Sequence, residues 1–157
     1  MTIKQPASKF CFVCGRENPV GLGLDFFTTS PGQSRAEITI PSDYEGYPGT
    51  VHGGIIAAIL DETGGRALME IPTRFMVTAQ LNIRYRKPVP SETPLVVLGY
   101  AGERHGRVSH ATSEIKDLTG NVLADAELVL VDIPESQLAE FDKEDLGWQV
   151  YPDEEEA

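Results

Sequence analysis

The feature that most constrains the fold is a run of six apolar residues, 55–60, between His52-Gly53-Gly54 and Asp61. Apolar side chains on all sides of a helix are typical of a helix that the rest of the chain surrounds. We therefore expect one long buried helix over 52–69, about 27 Å long at 1.5 Å per residue. Because a buried carboxylate without partners is costly, the position of Asp61 favours a functional group, with a structural cap or ion pair as the alternative.

The start of this helix offers hydrogen-bond donors, because the first N–H groups of a helix have no partner within it and its dipole favours negative charge there. Gly53 and Gly54 lack Cβ, so a substrate can approach their backbone closely. We predict that they polarise a carbonyl oxygen; the alternative is that two glycines only relax the junction between loop and helix. For His52 we favour a hydrogen bond that fixes the loop over proton transfer.

Alternating apolar side chains predict two strands before the helix and four after it. They are expected at 22–26, 36–40, 78–86, 95–101, 107–117 and 122–131, with turns at 30–32, 102–106 and 119–121. In 78–86 the alternation places Leu81 and Tyr85 on one face and Thr78, Asn82 and Arg84 on the other. This order predicts an α+β fold, an antiparallel sheet wrapped around one long central helix. Gly64-Gly65 inside the helix predicts a close approach by another element.

Charge is unevenly spread over the 157 residues, whose formal net charge is −11. From Pro134 onward there are nine acids and one base, so we expect a solvated, partly disordered acidic tail over 134–157, after an irregular segment 1–20 and a domain 21–133. A short helix from Ser136 is the alternative within this tail, and the sequence leaves open whether it docks on the body or on a partner. The mildly acidic remainder offers no basic surface for nucleic acid.

No apolar run reaches the roughly 18 residues that span a membrane. Lacking a secretory signal at its start, the chain is expected to be cytoplasmic.

The two cysteines, Cys11 and Cys14, have C-x-x-C spacing. A structural zinc site has four ligands, and the sequence offers no second pair of Cys or His. A redox C-x-x-C pair would be expected beside a βαβ unit, which the strand order lacks. We therefore expect no metal and no cofactor and interpret the cysteines as small apolar residues in a turn. A metal shared between subunits and a regulatory disulfide are the alternatives.

Four groups of residues have the spacing of a known family. They are C-F-V-C-G at 11–15 with N-P-V-G-L at 18–22, G-T-V-H-G-G at 49–54 with Asp61, L-N-I-R-Y at 81–85 with Pro88, and G-N-V-L-A-D-A at 120–126. With these motifs the chain resembles the hotdog-fold acyl-CoA thioesterases of the PaaI-like branch. The resemblance implies hydrolysis of acyl-CoA, or alternatively of acyl carrier protein thioesters, by a homodimer or homotetramer.

By motif position the resemblance implies a role for each of three catalytic residues. Asp61 is the nucleophile or general base, Gly53 donates its N–H to the thioester oxygen, and Thr78 holds the attacking water. Gly46 departs from the family, because some relatives have Asn or Gln there to orient the carbonyl or the water. The motifs do not predict the acyl group, although Phe75, Met76 and the loop around Tyr44 and Tyr47 are candidates to line its pocket.

Helix geometry requires two chains for this chemistry. Gly53 and Asp61 are separated by about 12 Å, eight steps of 1.5 Å, whereas reacting groups lie about 3 Å apart. We therefore predict a two-fold dimer in which Gly53 of one chain meets Asp61 of the other. The remaining substrate-binding candidates are His52, Gly54, Asn82, Arg84, Arg104 and Arg107. The arginines would form a basic rim for the coenzyme A phosphates, with ordinary solubilising strand charge as the alternative.

Two other functions fit the same residues. A hydratase or dehydratase of acyl thioesters would use His52 and Asp61 as its acid–base pair. A non-catalytic acyl-CoA sensor would bind without turnover, and Gly46 and the acidic tail favour this alternative. Since one scaffold hosts several activities, fold alone does not choose between them.

Overall fold

The computed structural model describes residues 1–69, 74–141 and 143–153. The strands are β1 Ile3–Lys4, β2 Phe27–Ser30, β3 Gln33–Thr39, β4 Glu45–Tyr47, β5 Thr50–Val51, β6 Met76–Tyr85, β7 Pro94–His105, β8 Val108–Asp117 and β9 Val122–Asp132. The helices are α1 Gly53–Ala67, α2 Glu135–Leu138 and α3 Lys143–Leu146, and a 3-10 turn covers Ser42–Tyr44. Within the described ranges, no helix combines the length and apolar character that crossing a membrane requires.

Seven of the strands form one antiparallel sheet in the order β1-β2-β3-β7-β8-β9-β6, and β4 pairs with β5 in a separate ribbon. Helix α1 packs on this sheet, mainly against its central strands β7, β8 and β9. Its buried side chains include Ile59 and Leu60, which have no exposed surface. The predicted α+β fold with one long central helix is confirmed.

Two glycines set the distance between helix and sheet. A Cβ on Gly64 would lie 2.6 Å from Cδ1 of Leu128, and one on Gly99 of β7 would lie 2.2 Å from the Thr63 carbonyl oxygen. Both contacts are far inside van der Waals separation. Only glycine fits at position 99, where the contact is with backbone, whereas a Cβ at position 64 would force the Leu128 side chain to shift. The predicted close approach is confirmed at Gly64, whereas a Cβ on Gly65 would make an ordinary 3.5 Å contact with Leu130.

Two local elements predicted from the sequence differ from those in the structure. Residues 22–26 are not a strand, because the Leu22 and Leu24 N–H groups donate to the carbonyls of Phe12 and Val13 instead of a sheet neighbour. The expected hairpin turn at 102–106 is present, but it is confined to the end of this range. Strand β7 continues to His105 through an irregular register between Ala101 and Arg104, and the chain reverses at Gly106, whose φ is +60°.

The C-terminal segment packs on the body of the protein as far as the structure describes it. Gln149 forms an antiparallel bridge with Ala7, and the Lys9 N–H donates to the Leu146 carbonyl. The Lys4 ammonium contacts Asp153 at 2.6 Å. The acidic side chains of 143–153 are exposed, as expected of a solvated tail, but backbone pairing with the N-terminal segment docks this stretch on the body of the protein. Residues 154–157 lie outside the described residues.

Helix α1 has a second face that this chain leaves partly exposed. It carries small side chains at Gly54, Ala57, Ala58 and Gly65, together with Asp61. Beside it runs β6, a ten-residue strand at the sheet edge whose residues are mostly exposed. A long edge strand presents unpaired backbone groups to another chain. The helix face and the strand edge together form a continuous surface available for pairing.

Candidate active site

Asp61 and Thr78 meet between α1 and the edge strand. The Thr78 hydroxyl donates a 2.6 Å hydrogen bond to Oδ1 of Asp61. Both residues line a cavity of about 190 Å³ with the apolar side chains of Met69, Phe75, Met76, Leu130 and Trp148. The carboxylate predicted from the helix motif thus lies in a partly apolar cavity with one strong hydrogen-bond donor.

A β-bulge explains why Thr78 faces the helix. Thr78 is opposite Leu130 of β9 and Gln80 is opposite Val129, so Ala79 is an extra residue in β6. The extra residue interrupts the alternation of side chains. Met76 and Thr78 therefore face α1, together with the partly buried Leu81 beyond the bulge. The expected placement of Thr78 on the same face as Asn82 is wrong for this reason.

Burial raises the pKa of the Asp61 carboxyl, because desolvation disfavours its charged form. The hydrogen bond from Thr78 opposes this by stabilising the carboxylate, and the neighbouring charge of Glu62 raises the pKa further. The net direction is upward. A carboxylate with a raised pKa is a stronger base, which suits it to accept a proton from water.

The start of α1 is organised by His52. Its Nδ1 accepts a 2.9 Å hydrogen bond from the Gly54 N–H, so the imidazole caps the helix. The expected bare N–H of Gly54 is thus occupied. Within the described part of the chain, the Gly53 N–H has no hydrogen-bond acceptor. One donor, that of Gly53, is left at the helix start.

Tyr85, the last residue of the L-N-I-R-Y motif, is a neighbour of this helix start to which the motif assigns no role. Its hydroxyl donates a 2.8 Å hydrogen bond to the Gly53 carbonyl, and a Cβ on Gly53 would lie 3.5 Å from that hydroxyl. The alternation of β6 predicted the inward face of Tyr85, but no sequence signal indicated its polar partner. Thr78 and Tyr85, near the two ends of β6, therefore contact Asp61 and Gly53 respectively.

The structure does not bring the other predicted substrate-binding residues together. Asn82 lines a groove on the outer face of the sheet with Gln80 and His110. Arg104 and Arg107 both donate hydrogen bonds to Asp132. Arg104 binds the Asp132 carboxylate, and Arg107 binds the Asp132 main-chain carbonyl at 3.0 Å. Since Asp132 pairs with Met76 at the start of β6, these two arginines lie near the Thr78 end, whereas Arg84 lies six residues further along the strand. One continuous basic rim within a single chain is not formed.

The loop of Tyr44 and Gly46 adjoins the start of α1. A Cβ on Gly46 would lie 3.3 Å from Cα of His52, so this position adjoins the helix start. The Tyr44 hydroxyl donates to the Val20 carbonyl at 2.6 Å, and its ring packs edge-on against Phe12. Phe75 and Met76 line the cavity of Asp61, whereas Tyr44 packs against the N-terminal segment.

Glu62, adjacent to Asp61, lines the same cavity but is paired with Arg66. Its Oε1 accepts a 2.9 Å hydrogen bond from Nε of Arg66, whose side chain is 1% exposed. Burial raises the pKa of Glu62, and the Arg66 guanidinium opposes the shift. The thiols of Cys11 and Cys14 lie close to the Glu62 carboxylate. The Cys11 thiol and the Arg66 charge lower the pKa of Cys14 to about 5, whereas the hydrogen bond with Cys14 and burial raise that of Cys11.

The central part of the chain is similar to a known family of proteins. The model of the thioesterase superfamily matches residues 48–124. The mouse protein acyl-coenzyme A thioesterase THEM4 is 38% identical over 79 residues, which cover 50% of this chain and 34% of that protein. The match thus spans about a third of the curated relative.

Two solved structures share the fold. The crystal structure of a thioesterase superfamily protein has a TM-score of 0.73 and 32% identity, covering 79% of this chain and 61% of that chain. A hypothetical thioesterase from Streptococcus pneumoniae, crystallised with coenzyme A, has a TM-score of 0.64 and 17% identity, covering 70% of this chain and 85% of that chain. The sheet wrapped around α1 is the hotdog fold of these proteins.

Proposed function

Because the model of the thioesterase superfamily matches residues 48–124 and the fold is that of a thioesterase superfamily protein, we propose that the protein is a hotdog thioesterase that hydrolyses the thioester of an acyl-coenzyme A to a free acid and coenzyme A. The observation that carries this proposal is the Asp61 carboxylate, held at 2.6 Å by the Thr78 hydroxyl in a cavity that both apolar side chains and the charged Glu62, Arg66 and Arg74 line. The relatives support the substrate class, since the mouse relative is an acyl-coenzyme A thioesterase and the streptococcal protein holds coenzyme A.

The active site is shared between two chains. Gly53 and Asp61 belong to one uninterrupted helix, so about 12 Å separates them within a chain. An antiparallel copy of α1 places Gly53 of the partner subunit opposite Asp61. Such an arrangement is isologous and generates two equivalent sites per dimer.

The exposed surface of the chain suits this pairing. The midpoint between Gly53 and Asp61 is Ala57, and the midpoint between Thr78 and Tyr85 lies between Leu81 and Asn82. One two-fold axis near both midpoints would pair β6 with its own copy and bring the small face of α1 against the partner helix. Asn82 would then lie near the axis, and Arg84 of the partner subunit near the bulge at Ala79.

In the reaction the Gly53 N–H of the partner subunit donates to the thioester oxygen, where negative charge develops. Removing one such donor typically costs about 3–4 kcal/mol of transition-state stabilisation. Asp61 acts by one of two routes. It attacks the carbonyl carbon to form an anhydride that water then hydrolyses, or it takes a proton from water as the water attacks. In both routes the thiolate of coenzyme A leaves and acquires a proton.

The other polar groups of the site assist substrate binding. Thr78 fixes the carboxylate and is placed to hold the attacking water, while His52 and Gly54 fix the helix start. Arg104 and Arg107 supply positive charge at the Thr78 end for the coenzyme A phosphates, although their contacts with Asp132 neutralise part of it. The acyl group would enter the cavity lined by Phe75 and Trp148.

The test is release of free coenzyme A from acetyl, hexanoyl, palmitoyl, phenylacetyl and benzoyl thioesters. Asp61→Asn keeps the shape of the side chain and should lower the rate by at least about a hundredfold, the scale of a lost general base. The matched control is Asp43→Asn, the same change at an exposed position, which should leave the rate unchanged. Full activity of Asp61→Asn would reject the proposal.

The same panel separates the alternative functions. Formation of an enoyl product without free thiol would identify a hydratase or dehydratase. That activity would need His52 as its acid or base, yet Nδ1 of His52 is occupied by the Gly54 N–H. Tight binding of acyl-CoA with no turnover would identify the non-catalytic sensor.

A further inference from the structure

The C-x-x-C turn places two thiols beside a carboxylate of α1. The Sγ atoms of Cys11 and Cys14 and a carboxylate oxygen of Glu62 all lie within 4.8 Å of one another. The Cys11 thiol donates to Oε2 of Glu62 at 4.0 Å, and Cys14 is 1% exposed. Glu62 is 51 positions from Cys11, so the fold, and not local sequence, assembles this cluster.

We propose that Cys11, Cys14 and Glu62 form a binding site for a thiophilic divalent cation, with Zn²⁺ as the best fit. Tetrahedral zinc, with Zn–S about 2.3 Å and Zn–O about 2.0 Å, separates its ligand atoms by about 3.5–3.8 Å. The donor atoms here need to approach one another by no more than about 1 Å, which small side-chain rotations provide. Two thiolates and one carboxylate are a ligand set that zinc prefers over magnesium or calcium.

Arg66 supplies the charge balance that such a buried site needs. Two thiolates and a carboxylate carry three negative charges, the cation carries two positive charges, and the Arg66 guanidinium adds one more. The 2.9 Å hydrogen bond from Arg66 occupies Oε1 of Glu62 and leaves Oε2 directed at Cys11. A guanidinium in this position orients a ligating carboxylate in the way that outer-sphere partners of metal sites do.

Ser8 completes the surroundings of the thiols. Its hydroxyl accepts from the Cys11 N–H at 3.2 Å and lies 3.7 Å from Sγ of Cys14. Three protein ligands leave one coordination position, which water can occupy. A cation held there would join the N-terminal turn to α1 at the residue next to Asp61. The site is independent of the proposed hydrolysis, and its test does not use enzyme activity.

The experiment is titration of the reduced, metal-free full-length protein with Zn²⁺ against a chromophoric chelator, and with Co²⁺ as a spectroscopic probe. We expect one equivalent per chain and a thiolate-to-cobalt charge-transfer band. The Cys11→Ser and Cys14→Ser variants should weaken Zn²⁺ binding at least about a hundredfold and diminish the band, because each removes a directly bound thiolate. Circular dichroism verifies that each variant is folded.

Glu62→Gln distinguishes a three-ligand site from two thiols alone. It should weaken Zn²⁺ binding at least about tenfold while keeping the charge-transfer band. The adjacent Asp61→Asn is the matched control and should leave the affinity unchanged. The proposal is overturned if the wild type binds no stoichiometric Zn²⁺, if the cysteine variants bind as well as wild type, or if Glu62→Gln has no effect. Closure of a Cys11–Cys14 disulfide in air, with no zinc bound after reduction, would assign the pair to redox chemistry instead.

Discussion

Replacing Thr78 by valine should move the pH dependence of hydrolysis through Asp61. Valine keeps the shape of threonine but removes the hydroxyl that donates to Oδ1 at 2.6 Å. This bond stabilises the charged carboxylate, whereas burial disfavours it. Without the bond the pKa of Asp61 rises further, and since both catalytic routes need the ionised carboxylate, the acid limb of the kcat/KM profile shifts to higher pH.

The structure sets the size of this shift. A hydrogen bond to a charged group contributes about 1.5–3 kcal/mol, and the low end applies because Asp61 is only partly buried. One pKa unit corresponds to about 1.4 kcal/mol, so the acid limb should move up by about one pH unit. At pH values below the limb the variant should lose about tenfold in kcat/KM.

The assay is coenzyme A release over a series of pH values, with Thr78→Ser as the control that restores the hydroxyl. The serine variant should keep the wild-type limb. If Thr78 acts only through Asp61, Thr78→Val also keeps the wild-type kcat/KM plateau at high pH. A lower plateau in this variant would show that Thr78 also holds the attacking water. An unmoved acid limb in Thr78→Val would refute the coupling between these two residues.

Three further predictions concern the acyl cavity, the core and the dimer. Trp148→Ala should open the cavity and raise kcat/KM for longer acyl chains relative to acetyl-CoA. The gain is up to about fourfold per methylene, because burying one methylene contributes about 0.8 kcal/mol. An unchanged chain-length preference would place the acyl group elsewhere. Gly64→Ala should lower the free energy of unfolding by about 1–3 kcal/mol through overpacking, whereas Gly65→Ala should raise it by up to about 1 kcal/mol, both measured by urea denaturation; equal effects would contradict the packing. Ala57→Glu should give an inactive monomer in analytical ultracentrifugation, because two like charges would meet at the axis. The control Ala139→Glu, at an exposed position just after α2, should leave the dimer intact. An active Ala57→Glu monomer would exclude a shared site.

The helix and its carboxylate were predictable because their signals are local. Six apolar residues before Asp61 and two glycines after His52 identify a buried helix and its start within a single stretch of sequence. The edge strand was predictable in position but not in detail. A single bulge at Ala79 reverses the face of Thr78, and side-chain alternation alone does not reveal where a strand takes an extra residue.

The remaining errors concern residues distant in sequence that the fold brings together or keeps apart. Composition indicated a solvated tail, yet Trp148 stacks edge-on against Phe75 with ring centroids 5.3 Å apart, because backbone pairing with Ala7 holds the segment in place. Arg84 and Arg104 were grouped by proximity along predicted strands, but their positions depend on the order of strands in the sheet. The contact of Glu62 with the cysteine pair was likewise invisible to spacing rules.

The central claim is that each active site takes Gly53 from one chain and Asp61 from the other. Gly53 occupies the first position of α1, where proline is well tolerated, and His52 has φ −59° and ψ 136°, as a residue before proline requires. Gly53→Pro therefore removes the N–H with little effect on folding. Gly53→Ala keeps the N–H and is the control that should remain active.

The most direct measurement is complementation between Gly53→Pro and Asp61→Asn chains. Each homodimer lacks one essential group at both of its sites and should be inactive. Subunits mixed in equal amounts and exchanged should recover about a quarter of the wild-type rate, because half of the dimers are mixed and each mixed dimer has one intact site. Recovery near this value would establish the shared site; mixtures that stay inactive after verified exchange would contradict it.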